Sequence, residues 1–209
     1  QSELGQAPEP DPGAADLPVP DRRSGSLSIT NAINMLNEIY IVRHAAPQQG
    51  TNIPYDRVPG PPLAELGRGE ARAAALYLSH CGLQKLYTSP LDRAMQTAAI
   101  IAVETGLASE TVEDIREMRN DEPFERVRER MKTFHTRIET DAANPVAFVS
   151  HGSPVRAMLQ LLSSDKIDLG PYNFHGGNPL PTAGIWRAVR DGAAWKLDLI
   201  FEPARVEAR

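Results

Sequence analysis

Residues 38–44 read Glu38-Ile39-Tyr40-Ile41-Val42-Arg43-His44, a short apolar run that passes directly into two polar side chains. A run this short and rich in β-branched residues reads as a buried strand whose carboxyl end delivers Arg43 and His44. The same pattern returns at Pro145-Val146-Ala147-Phe148-Val149, followed by Ser150-His151-Gly152. Between the two, Ala71, Ala74, Ala75 and Leu78 recur at helical spacing, predicting a helix over roughly 67–81 with Gly82 as its stop. Leu83 to Thr88 is a further strand. Ser89-Pro90-Leu91-Asp92 predicts a capping serine and a first-turn proline for a helix running to Gly106. Phe124, Val127, Met131, Phe134 and Ile138 mark another helix, and Ser153-Pro154 opens one that ends near Ser163. Ala183–Val189 and Trp195–Phe201 close the chain as strands around an Asp191-Gly192 turn. Strands alternating with helices predict an α/β fold, a three-layer sandwich with a mostly parallel central sheet flanked by helices. In such sheets ligands lie beyond the carboxyl ends of the strands, where both histidines fall.

The chain has 209 residues, 41% apolar and 23% charged, with a mean hydropathy of −0.35. That composition excludes collagenous, wholly disordered and disulfide-scaffold classes. Cys81 is the single cysteine, so neither an internal bridge nor a multi-thiolate metal site is available. Five of the 27 acids precede Arg22, leaving 22 acids against 22 bases in the rest of the chain. A neutral body carries no general excess of cations for nucleic acid, and no apolar run approaches a membrane span. No nucleic-acid or membrane partner is therefore expected, and a cytoplasmic location is. Residues 1–37 read as a proline-rich, acidic extension and lead-in segment, and 38–209 as the catalytic domain. The extension has no initiator Met and no signal-peptide pattern. It is expected to lie against the body or to mediate homo-oligomerisation.

Arg43, His44, Arg93 and His151 would together make a site for a tetrahedral dianion. Two guanidiniums match phosphate oxygens with planar forks. Two imidazoles titrate near neutrality, so one can act as a nucleophile while the other donates to phosphate. With that positive charge in place, phosphoryl transfer needs no metal or other cofactor. His80, His135 and His175 lack such a context and read as surface residues. Arg119, Arg126 and Arg128 are candidates for a second anionic group on the substrate, and Gly176-Gly177-Asn178 reads either as an anion cradle or as a turn.

At these residues the sequence resembles the histidine phosphatase superfamily, the phosphoglycerate mutase-like proteins. The resemblance rests on Val42-Arg43-His44-Ala45, Pro62-Leu63-Ala64-Glu65-Leu66-Gly67 with Glu70-Ala71, Ser89-Pro90-Leu91-Asp92-Arg93-Ala94-Met95-Gln96-Thr97-Ala98 and Val149-Ser150-His151-Gly152, and spans about 39 to 202. It implies a phosphohistidine on His44, a phosphate pocket of Arg43, Arg93 and His151, and Glu117 as the acid that protonates the leaving group. Asp114, Asp121 and Glu122 compete with Glu117 for that role. Two departures stand out. Ala45 replaces the glycine common after the first histidine, and Gly50 stands where mutases carry a phosphate-touching asparagine, leaving Asn52 or Gln48 to replace that contact. Only 57 residues separate Arg93 from His151, fewer than in family mutases, which favours a phosphomonoester hydrolase acting on a small phosphorylated substrate. The alternatives are a phosphohistidine-protein phosphatase, a phosphoglycerate mutase, or a non-catalytic phosphate-binding module. A metal hydrolase is the least favoured.

Overall fold

The computed structural model describes residues 35–141 and 143–203. The body of the expected N-terminal extension, residues 1–34, lies outside that range, so its expected packing or oligomer contacts fall outside the described residues.

The expected elements form, and their order is that of an alternating α/β chain. Strand β1 (Glu38–Arg43) leads through a long loop to helix α1 (Glu65–Ser79), then β2 (Lys85–Thr88), α2 (Asp92–Thr105) and the short β3 (Ser109–Thr111). A 3-10 turn at Glu113–Ile115 precedes α3 (Phe124–Thr140), β4 (Val146–Ser150) and α4 (Gly152–Leu162). The hairpin of β5 (Ile185–Asp191) and β6 (Ala194–Phe201) completes the sheet. The strand order is β3-β2-β4-β1-β5-β6. The four strands from β3 to β1 pair in parallel, and β5 and β6 are antiparallel additions at one edge.

The sheet is the middle of three layers because alternate side chains of each strand face opposite ways. Ile39, Ile41, Val146 and Phe148 pack under α3 and α4 with Val127, Met131, Phe134 and Met158. Tyr40, Val42, Ala147 and Val149 face α1 and α2, where Ala71, Ala74, Ala75, Ala94 and Ala98 allow close approach. With both faces covered, β1 and β4 are buried almost throughout, which is why they read as continuous apolar runs.

Two helix starts differ from expectation. Helix α2 begins at Asp92, after Leu91, and no side chain caps it. The Asp92 amide instead donates to the Pro59 carbonyl (2.7 Å), and Ser89, the expected cap, turns its hydroxyl toward His151. Helix α4 begins at Gly152 with His151 in the capping position, so Pro154 lies in the first turn as expected and Ser153 lies there too, not ahead of the helix as its cap. At α2 a tertiary contact satisfies a group that an isolated helix would cap locally.

The loop after His44 is seated on the start of α1. The Ala46 carbonyl accepts from Ala64 N–H (3.0 Å), and its amide donates to the Glu70 carboxylate (2.8 Å). A Cβ on Gly67 would lie 2.0 Å from the Ala46 carbonyl oxygen, so only glycine allows this approach. Gly67→Ala should therefore destabilise the protein by about 1–3 kcal/mol, the scale of overpacking. Gly69→Ala, whose Cβ meets nothing within 4 Å, should be neutral or stabilising. Paired thermal denaturation curves check this; equal melting temperatures for the two variants would contradict the packing argument.

Candidate active site

Register builds the centre of the site. Strands β1 and β4 are adjacent and parallel, with Arg43 beside Ser150, so Arg43-His44 and Ser150-His151 emerge at one edge. The His44 amide donates to the Ser150 carbonyl (2.9 Å), and the two imidazoles stand 5.0 Å apart between ring centres. Arg93 enters from the first turn of α2, the helix after β2, which is the other neighbour of β4. The four residues read from sequence as one cluster are thus brought together, and all are buried.

The hydrogen bonds assign roles to individual nitrogens. His44 Nδ1 lies 2.8 Å from the Ala45 carbonyl, which can only accept, so Nδ1 carries the proton and Nε2 keeps its lone pair. Burial, then Arg93 and Arg43, push the His44 pKa well below its ordinary value, so the ring is neutral at pH 7. His151 is neutral for similar reasons, burial first and then Arg93, His44 and Arg43. Its Nε2 contacts the Ser89 hydroxyl (2.7 Å). With Ser89 donating to Nε2, His151 Nδ1 bears the proton and is a buried donor without a partner.

The guanidiniums are anchored but unsatisfied. Arg43 donates one N–H to the Leu180 carbonyl (2.9 Å) and Arg93 one to the Tyr55 carbonyl (2.8 Å). Arg43 Nε, Arg93 Nε and Arg93 Nη2 are buried with no hydrogen-bond partner. Neither arginine forms an ion pair among the described residues. Burial lowers the pKa of both, partly offset by the nearby Tyr55 and Glu117. A buried unpaired charge is costly. Three guanidinium donors plus His151 Nδ1 make a site that an anion completes.

Glu117 borders this cluster. Its side chain is 14% exposed, Oε2 lies 4.0 Å from His151 Nδ1 and Oε1 accepts from the Met118 amide (2.8 Å). Burial raises its pKa, against the lowering effects of the Met118 amide, Arg93 and the Ser153 hydroxyl. The competitors are placed differently. Glu122 is taken by Arg116 and Arg130, which hold its pKa down at about 2, and Asp121 is exposed beside Arg57. That Arg116–Glu122–Arg130 network also fixes the segment presenting Glu117, because Arg116 donates to the Glu117 carbonyl (2.8 Å). The third competitor, Asp114, offers its backbone carbonyl to Arg130.

Several contacts were not legible in the sequence. Tyr55, in the loop before α1, stacks its ring on the Arg93 guanidinium at 3.9 Å and sets its hydroxyl 3.4 Å from His44 Nε2. Asn52 and Gln48 from the same loop are exposed, so that loop reaches the cluster through Tyr55 instead. Thr97 accepts from the Ala45 amide (3.1 Å), and Ser150 Oγ donates to the Ile115 carbonyl (2.6 Å). Asp56 accepts from the Asn120 amide (2.9 Å), tying the Tyr55 loop to the Glu117 segment. His80 and His175 are exposed as expected, but His135 is half-buried, edge-on to Trp195, because α3 packs beneath β6 there. Gly176-Gly177-Asn178 is an internally bonded turn, with Gly177 N–H on the Phe174 carbonyl (2.9 Å).

Residues 39–122 match the family profile described as histidine phosphatase superfamily (branch 1). That stretch of the chain, from β1 to the segment carrying Glu117, is similar to the histidine phosphatase superfamily. The chain is 39% identical over 83 residues to the uncharacterized protein Rv0525 of Mycobacterium tuberculosis. That alignment covers 40% of the chain and only 41% of the relative. Its fold is shared with the mycobacterial glucosyl-3-phosphoglycerate phosphatase Rv2419c, at a TM-score of 0.63 and 20% identity, covering 78% of this chain and 97% of that one. It is shared equally with a phosphoglycerate mutase from Bacillus anthracis str. Sterne, at a TM-score of 0.63 and 18% identity, covering 80% and 94%. Among the described residues, no helix is long and apolar enough to cross a membrane.

If the unpartnered donors form an anion site, inorganic phosphate should raise the melting temperature, with a stabilisation that grows logarithmically with concentration above Kd and reaches about 2.7 kcal/mol at a hundred times Kd. Arg93→Met should abolish that shift. A shift of unchanged size in the variant would remove Arg93 from the site.

Proposed function

We propose that this chain is a phosphomonoester hydrolase that forms a phosphohistidine on His44 and uses no metal. The observation that carries the reading is the tautomer of His44. Its Nδ1 proton is held by the Ala45 carbonyl, leaving a neutral Nε2 lone pair beside buried guanidinium donors.

In this reading Arg43, Arg93 and His151 Nδ1–H bind the phosphoryl oxygens and neutralise their charge in the transition state. Tyr55 moves from Nε2 as substrate enters. Nε2 attacks phosphorus, the bond from phosphorus to the leaving oxygen breaks, and Glu117 gives that oxygen its proton. A water then attacks the phosphohistidine, passing a proton to the Glu117 carboxylate. The P–N bond breaks and its electron pair returns to Nε2, regenerating neutral His44 and protonated Glu117. Burial of Glu117 supports its use as an acid, since a raised pKa keeps the proton in place closer to neutral pH.

Glu117 also separates this reading from its nearest competitor. A phosphohistidine-protein phosphatase expels an imidazole, which needs little protonation, whereas an alkoxide needs a great deal. A buried carboxyl at the cluster fits the ester.

The test is kinetic. His44→Ala should abolish turnover of aryl and alkyl phosphates alike, together with any acid-labile phosphoenzyme, and EDTA should leave the wild type unaffected. Glu117→Gln should slow alkyl phosphate hydrolysis by about 10²–10⁴ and aryl phosphate hydrolysis far less. In the wild type, alkyl phosphate turnover should fall as pH rises through the elevated Glu117 pKa, and the variant should lack that limb. Equal losses on both substrates would take Glu117 out of the acid role.

A further inference from the structure

We infer that the leaving group is an uncharged, largely apolar alcohol or phenol, so that the substrate is a phosphomonoester bearing no second phosphate and no carboxylate. This rests on the hydrolase reading and concerns the cleft beyond the phosphate site. That cleft begins at Arg43 and has a volume of about 710 Å³. It falls in the range of roughly 300–1,000 Å³ that encloses ligands with ring systems, not only small acids.

The walls supply apolar surface from two sides. Tyr55 and Leu66, respectively 43% and 51% exposed, face it from the loop before α1 and from α1 itself. Phe174, Pro181 and Pro203 face it from the chain around β5 and β6. Exposed apolar side chains gathered around a concavity mark a surface that a ligand covers.

The charges are as informative. Among the described residues bordering the cleft, Arg43 is the only Lys or Arg, and it belongs to the phosphate cluster. The formal negative charge in the lining is Glu70, whose carboxylate is held in place by the Ala46 amide (2.8 Å) and the Thr182 hydroxyl (3.0 Å). The arginines considered for a second anion are engaged elsewhere. Arg119 lies near Glu113, Arg126 pairs with Glu129, and Arg128 pairs with Asp165 beside a different, smaller depression. Arg156 of α4 donates to the Gly177 carbonyl and does not border the cleft. Among the described residues, a carboxylate or second phosphate on the leaving group would meet Glu70, apolar walls and the His175 imidazole, with no Lys or Arg beyond Arg43, and like charges at close quarters are strongly unfavourable. An uncharged ring would instead bury its surface there, with Gln49, Asn178 and Thr182 available to a hydroxyl or amide.

The experiment compares benzyl phosphate with 4-carboxybenzyl phosphate, a pair differing in one carboxylate, and with 3-phosphoglycerate, at pH 8. Benzyl phosphate should exceed both others in kcat/KM by about tenfold or more. Leu66→Arg, which adds a cation on an exposed helical position outside the phosphate cluster, should shrink the benzyl to carboxybenzyl ratio to within about threefold. A ratio near one or inverted, with turnover that still requires His44, overturns this inference and leaves the hydrolase reading intact. A ratio untouched by Leu66→Arg overturns the placement of the leaving group in this cleft. No turnover of any of the three, or turnover that survives His44→Ala, overturns both.

Discussion

Two guanidiniums buried in one cluster without a carboxylate to pair them are the condition on which the rest of the molecule depends. Left to itself such an arrangement is unfavourable, because desolvation and mutual repulsion both act against it. It persists because a six-stranded sheet and its helices hold Arg43 and Arg93 by one carbonyl bond each while their remaining donors stay unpartnered. Burial, with the two guanidiniums adding to it, keeps both imidazoles neutral, and the Ala45 carbonyl leaves the lone pair of His44 on Nε2. A dianion would restore the balance that the fold alone leaves open.

Holding that cluster requires a second set of residues whose work is positional. Glu70 joins the Ala46 amide after β1 to Thr182 before β5, so a single carboxylate fixes two segments that border the cleft. Thr97, one turn beyond Arg93, holds the Ala45 amide and ties the loop after His44 to the helix carrying the arginine. Ser150 reaches the Ile115 carbonyl and sets the approach of the Glu117 segment, which the Arg116–Glu122–Arg130 network then rigidifies. These bonds tie the segments after β1 and β4 to α1, α2 and the Glu117 segment, so misplacement of one is felt at the others.

Chemistry and specificity occupy different parts of the site. The phosphate floor comes from strand ends and a helix start, elements fixed by core packing. The cleft beyond it is built mostly from the loop before α1 and the segment around Phe174, where apolar and uncharged groups predominate.

Much of this was legible in the order of residues. The runs 39–42 and 146–149 could only be strands covered on both faces, and the polar pairs that follow them had to emerge at the carboxyl edge. The periodicity of Phe124, Val127, Met131, Phe134 and Ile138 likewise required a helix with one buried face, which α3 has. Arg43, His44, Arg93 and His151 were nameable because their positions follow from where strands and helices end. Ser89 was misread as a cap and Tyr55 was missed, because each acts through a partner more than 35 residues away in sequence. No local pattern carries such a contact. The resemblance favours Glu117 over Asp114, Asp121 and Glu122, and packing sets them apart by placing Glu122 against two arginines and Glu117, largely buried, at the cluster. Chain order determined which groups the strands would deliver, since side-chain periodicity is a local property. Which of those groups stayed charged, which kept a free lone pair and what the cleft would accept were decided by burial and by neighbours distant in sequence, and these exist only once the chain has folded.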